Sequence, residues 1–206
     1  MALRGARILI AGACTRTGQS LVEAFLALGA EVIAADRLRT RLEELRARVQ
    51  QHERLWVAEA DLSGPSAALA LFADVARDEP IDAAIFIVPG GENDDSCGAQ
   101  LDSHARAEQA AALPVRQCEA LLGAANEAMR GHGRVLVVLE PAVGGDSALT
   151  TALQQLVERH AGRARSAGAG PSVAGLIAIR PHGALLERVA VLCDPGQPAA
   201  HGWQDP

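Results

Sequence analysis

Gly12 and Gly18 bracket a short turn, Ala11-Gly12-Ala13-Cys14-Thr15-Arg16-Thr17-Gly18, that follows an apolar run and opens a helical pattern. Asp36 stands 18 residues beyond Gly18, at the end of the next apolar run. This is the spacing of a dinucleotide site. Small residues let backbone approach a pyrophosphate at a helix N-terminus, and a carboxylate about 20 residues on takes the ribose hydroxyls. Gly12, Arg16, Gly18 and Asp36, with Asp61 after the third apolar run, outline one nucleotide pocket. The pattern is incomplete, because Thr15 or Arg16 stands where a further glycine belongs. A Cβ there obstructs close approach to a phosphate, although an arginine could add a phosphate contact. The pocket therefore reads as vestigial. The two glycines also have a structural reading, since the turn and the helix–strand packing need them even without a ligand.

Elsewhere the chemistry-bearing residues are scattered. Cys14, Cys97, Cys118 and Cys193 are far apart, with no Cys-x-x-Cys pair. The histidines are isolated, and no Ser/His/Asp order suggests a nucleophilic triad. Asp94 and Asp95 lie in a polar stretch from Glu92 to Ser103 that reads as a solvated loop rather than a metal site. No metal and no catalytic residue is expected. The chain holds no tyrosine and no lysine, so all 19 of its Lys+Arg residues are arginine.

The elements that must carry the pocket alternate between strand-like and helical patterns, the mark of βαβ units and a parallel sheet. Strand-like runs are Arg7–Ala11, Glu31–Asp36, Leu55–Ala58, Ala83–Val88, Arg134–Leu139, Ala174–Ile179 and Arg188–Cys193. Helical patterns cover about Gln19–Leu28, Leu38–Gln51, Ala67–Arg77, His104–Arg130 and Ala148–Arg165. The expectation is an α/β, Rossmann-like, doubly wound parallel sheet of about seven strands in a single domain, residues 1–206. Residues 195–206 form an extended C-terminal tail.

Composition narrows the setting. Hydrophobic residues make up 49% of the chain, yet no apolar run approaches the ~20 residues of a membrane span. The start, Met1 to Arg7, leads straight into a strand and does not read as a secretory signal. A net charge of -6 with dispersed arginines argues against nucleic acid. Scattered thiols in such a chain are expected to be reduced, in the cytoplasm.

The Gly12–Gly18 turn, Asp36 and Asp61-Leu62, set in this alternation, resemble the short-chain dehydrogenases/reductases over about residues 6–196. The resemblance implies a catalytic tetrad that includes Tyr-x-x-x-Lys. The tyrosine exchanges a proton with substrate, and the lysine lowers its pKa and holds the nicotinamide ribose. Arginine, with its higher pKa and fork geometry, does not replace that lysine. By the same resemblance the tetrad's asparagine falls near Pro114, its serine at the end of the fifth strand where Leu139-Glu140-Pro141 stands, its tyrosine near Asp146 and its lysine near Thr150. All four are changed. The helical lid expected after Ile179-Arg180-Pro181-His182-Gly183 is also missing, because Arg188–Cys193 follows almost at once.

The resemblance implies a non-catalytic subunit that supports an active NAD-dependent alcohol dehydrogenase. The assembly would be a hetero-oligomer, a heterotetramer, joined through the helices 104–130 and 148–165. No cofactor is expected in this chain; NAD belongs to the partner. Apolar stripes from Leu113 to Met129 and from Leu149 to Val157 are taken as partly open to that partner. Two-subunit enzymes that oxidise 2-(hydroxy(phenyl)methyl)succinyl-CoA in anaerobic aromatic degradation contain an inactive subunit similar to this chain. A second reading is an NAD(P)-sensing regulator, since Gly12–Gly18 resembles Gly-x-x-Gly-x-x-Gly of the NmrA-type branch. A third is an enzyme with rebuilt chemistry, using Glu140, Asp146 or His182.

Overall fold

Apolar runs without polar alternation form strands covered on both faces, and their parallel pairing requires helical crossovers. The computed structural model describes residues 3–49, 52–62, 64–77, 79–90, 103–129, 133–141, 147–167, 171–177, 182–194 and 202–203. The elements are β1 (Arg7–Ala11), α1 (Arg16–Ala27), β2 (Glu31–Asp36), α2 (Arg39–Arg48), β3 (Leu55–Glu59), α3 (Pro65–Val75) and β4 (Ala83–Gly90). They continue with α4 (Ser103–Ala128), β5 (Arg134–Pro141), α5 (Ser147–Ala167), β6 (Ser172–Ile177), α6 (His182–Cys193) and β7 (Gly202–Trp203). The sheet runs β3-β2-β1-β4-β5-β6-β7, and every adjacent pair is parallel. The expected doubly wound sheet of seven strands is present.

Two cores sandwich the sheet. Ile8, Ile10, Val32, Ile85 and Val138 meet Phe25 of α1, Leu45 of α2 and Val189 of α6 on one side. Leu9, Ile33, Phe86 and Val137 meet Phe72 of α3, Leu122 of α4 and Leu156 of α5 on the other. Phe72 and Phe86 pack edge to face, with centroids 6.3 Å apart. The strand order reverses between β1 and β4, so a crevice opens at their C-terminal ends.

Several expectations are corrected. Arg188–Cys193 is not a strand but the last half of α6. Leu185, Val189 and Cys193 recur every four residues and are buried, whereas Val191 is exposed. A short β-branched run does not distinguish helix from buried strand until its packing surface is known. The seventh strand is instead Gly202–Trp203, paired with Ala174 and Gly175. Residues 202 and 203 of the expected extended tail thus pair with the sheet. The missing lid stands on other grounds, because only residues 178–181 connect β6 to α6. Strand four also runs on through Pro89 and Gly90, opposite Glu140 and Pro141. β1 last pairs at Phe86, so beyond it β4 has no strand on that flank among the described residues, and a proline is tolerated there.

The helix stripes are corrected too. Cys118, Leu121, Leu122, Ala125 and Met129 of the first stripe are buried in the chain's own core, as are Leu149, Leu153, Leu156 and Val157 of the second. Leu113 is exposed, and His160 is half-buried. A helix covering a sheet needs one full apolar face for that purpose. The outward faces carry Arg116, Glu119 and Glu127 on α4, and Gln155 and Arg159 on α5. Arg159 and Glu119 approach to 3.9 Å, an exposed pair of small energetic weight.

The helical assignment of Arg188–Cys193 is testable. Val189→Asp should destabilise the fold by about 4 kcal/mol or more, since it buries an unpaired charge. Val191→Asp should cost about 0.5 kcal/mol or less, as a surface change. Two residues of one strand face would respond alike, so urea denaturation of the two variants separates the alternatives.

Candidate functional site

The turn between β1 and α1 is folded tightly enough to explain both glycines. Gly12 has φ +81, and a Cβ there would lie 2.9 Å from the Ile87 carbonyl oxygen on β4. A Cβ on Gly18 would press against the Gly12 carbonyl oxygen and lie 2.8 Å from Ala13. Helix and strand therefore meet backbone to backbone, as the structural reading of the motif requires.

Thr15 is the N-cap of α1. Its hydroxyl donates to the Gly12 carbonyl at 2.9 Å and accepts from the Gly18 N–H at 3.0 Å. The side chain that the sequence places across the phosphate site is thus tied into its own turn. Arg16 is the first residue of the helix and is exposed. The Asp36 carboxylate is drawn back to the turn: Oδ2 accepts from the Cys14 N–H at 3.0 Å, and Oδ1 from the Arg37 N–H at 2.8 Å.

The contact that sequence reasoning missed comes from β5. Glu140 Oε1 accepts the Thr17 N–H at 2.9 Å, across a sequence separation of 123 residues. The first turn of α1 holds no acidic residue, so its dipole has no local counter-charge. A carboxylate at the end of a nearby strand supplies one. The only hint in the sequence was that pair of facts, a bare helix start and an acid where the resemblance expects serine.

The structure gathers Gly12, Arg16, Gly18 and Asp36 at this turn and brings Glu140 to them. Asp61 is exposed beyond the end of β3. Pro114 lies inside α4, and Thr150 in the first turns of α5. Asp94, Asp95 and Asp146 fall outside the described residues, and His182 is the first residue of α6. A cavity of about 140 Å³ lies beside the turn, between Cys14, Gln19, Arg41, Glu44, Leu45 and Arg48. Arg48 donates there to Gln19 Oε1 at 3.0 Å. Among the described residues no cluster of His, Cys, Asp or Glu could hold a metal ion. Among them, too, no helix is long and apolar enough to cross a membrane.

Such a crevice holds a pyrophosphate when the N–H groups of the first helical turn are free to donate. Here Thr17's is held by Glu140 and Gly18's by Thr15, while Cys14's is held by Asp36. The Glu140 carboxylate sits where phosphate charge would sit. As arranged, these residues do not fit the dinucleotide.

No family model and no curated protein matches the chain. Solved structures do. A short-chain dehydrogenase/reductase of the glucose/ribitol dehydrogenase kind from Brucella melitensis superposes with TM-score 0.76 at 17% identity, covering 100% of this chain and 95% of that one. The short-chain dehydrogenase of Oenococcus oeni gives TM-score 0.73 at 15% identity, with 94% and 92% covered. NAD+-bound xylitol dehydrogenase gives 0.69 at 18% identity, with 93% and 77% covered. The fold is that of the short-chain dehydrogenases/reductases. At these identities the likeness is one of fold.

The three thiols among the described residues, Cys14, Cys118 and Cys193, are buried. Burial, then Asp36, pushes Cys14 up to about 12; burial takes Cys118 and Cys193 to about 12 as well. In a Cys97→Ser background, an aromatic disulfide reagent at pH 8 should leave all three unreacted until the chain is unfolded. Because the folded pKa values are raised, unfolding releases protons once pH passes the ordinary value of 9.0. Stability is intact below that value and should fall as pH climbs toward 12, which urea midpoints across this range will read.

Proposed function

We propose that the chain is a catalytically degenerate short-chain dehydrogenase/reductase that serves as a non-catalytic subunit beside an active NAD-dependent alcohol dehydrogenase. One observation carries this reading. The chain keeps the family's sheet, crevice and glycine turn, yet contains no tyrosine and no lysine with which to move the substrate proton. The β6–α6 connection supports it, since its four residues, 178–181, are too few to form a helical lid. Two-subunit dehydrogenases of CoA-thioester degradation are the kind of assembly in which such a chain has a place. A dinucleotide-sensing regulator is less well supported, because it needs the α1 donors that Glu140 and Thr15 occupy.

The partner surface we propose is the outward side of α4 and α5, not the buried stripes. Gly123 and Gly162 support it. A Cβ at either meets nothing within 4 Å among the described residues, so packing against them does not require these glycines. A mid-helix glycine costs about 1 kcal/mol relative to alanine. Close approach of a second chain gives both glycines a reason.

Purified alone, the chain should not oxidise alcohols or reduce ketones with NAD or NADP. Turnover that persists through every purification step would refute the non-catalytic reading. Co-expressed with an intact dehydrogenase encoded nearby, it should form a stable complex. Gly123→Arg or Gly162→Arg should split that complex, with circular dichroism unchanged and at least a tenfold loss of affinity. A chain that stays monomeric beside a fully active partner defeats the assembly proposal. Leu121→Asp and Leu153→Asp are unsuitable probes, because both leucines are core residues.

A further inference from the structure

The cofactor that this fold ordinarily holds and the side chains of this crevice disagree, and the disagreement has a single centre. We infer that Glu140 is a built-in anion that takes the place of a phosphate at the start of α1 and keeps the crevice closed to dinucleotides. The inference is independent of whether the chain assembles with a dehydrogenase.

Position is the first argument. β5 is separated from β1 by β4, and the strand order reverses between β1 and β4. Glu140 pairs in register with Pro89 at the C-terminal end of β4. Its side chain must cross that end to reach Thr17 on α1, and so it spans the mouth of the crevice. The acceptor atom sits 2.9 Å from the Thr17 nitrogen, a normal hydrogen-bond length, and Thr17 is 2% exposed. A carboxylate bound to a helical N–H at the positive end of the dipole makes the same interaction as a phosphate oxygen there.

Donor accounting is the second. Within the turn, Gly12 and Ala13 N–H groups go to the Ala35 carbonyl, and the Thr15 N–H goes to the Gly12 carbonyl. The Cys14 N–H goes to Asp36, the Thr17 N–H to Glu140 and the Gly18 N–H to Thr15, while the Arg16 N–H has no partner among the described residues. Of the side-chain acceptors, Thr15 and Asp36 belong to the glycine turn and the end of β2. Glu140 alone is brought from the far side of the crevice, and it alone could be removed without dismantling the β1–α1 turn. It is thus the group on which exclusion of phosphate depends.

Charge is the third. A pyrophosphate entering this turn would meet the Glu140 carboxylate already seated on the Thr17 N–H. Losing Glu140 both frees that donor and removes the charge, while substitution by glutamine removes the charge and keeps an acceptor for the N–H. The two substitutions therefore separate the electrostatic part of the exclusion from the occupied donor.

The experiment uses the full chain and its Glu140→Ala and Glu140→Gln variants, each checked for folding by circular dichroism. Titration calorimetry with NAD should give no binding to the wild type at millimolar concentration. Glu140→Ala should bind at least tenfold more tightly, with Glu140→Gln between them. Amide hydrogen exchange supplies a readout that needs no ligand: the Thr17 amide should be protected in the wild type and in Glu140→Gln, and should exchange at least tenfold faster in Glu140→Ala. Wild-type binding as tight as that of the alanine variant overturns the inference. So does a folded alanine variant that gains no affinity, or a Thr17 amide indifferent to the substitution. None of these results bears on turnover or on assembly, which the experiments above decide separately.

Discussion

The seat of α1 on the end of β1 sets the terms for the rest of this molecule. Gly18 lies so close to the Gly12 carbonyl that no side chain fits between them, and Gly12 adopts a left-handed backbone against Ile87. That contact fixes the direction of α1 and points its N-terminus into the crevice where the strand order reverses. A helix start aimed this way, with no acid in its first turn, creates a demand for an anion. In this chain the carboxylate that meets it is Glu140, held at the end of β5 by the sheet's own register.

Around that seat the framework is complete, while the chain holds no tyrosine and no lysine. Both faces of the sheet are covered by continuous cores, with helices on each side of the same parallel strands. None of this depends on an ability to transfer a hydride. α6 returns directly from β6 and packs its Leu185, Val189 and Cys193 into the core on the α1 side. Only residues 178–181 link β6 to α6, too few for a helical lid. A fold maintained by core packing can lose catalytic groups without losing stability, because polar residues at strand ends contribute little to either core.

The outward faces of α4 and α5 follow from the same economy of surface. Each helix has one apolar face, and the sheet takes it. Apart from Leu113, the exposed side chains described on these helices are polar, charged or small, so any partner there would be recognised by close backbone approach and polar matching rather than by a broad apolar patch.

The sequence by itself determined the alternation of strands and helices, their order, the crevice, and the loss of tyrosine and lysine. These follow from local periodicity, turn glycines and composition, which need no knowledge of distant residues. Local pattern could not decide three things. It read Arg188–Cys193 as a strand, because a short apolar run fits either geometry until a packing surface selects one. It read the α4 and α5 stripes as partly open, because a helical stripe does not say whether a sheet or a partner covers it. It also located the obstruction of the nucleotide pocket at Thr15 or Arg16, where the motif departs from glycine. The tertiary structure ties Thr15 into its own cap and sets Glu140 against Thr17, a pairing 123 residues apart. Such a contact exists only once β4 and β5 have brought the far strand end beside α1. Spacing along the chain cannot encode it, since the distance that matters is measured across the sheet.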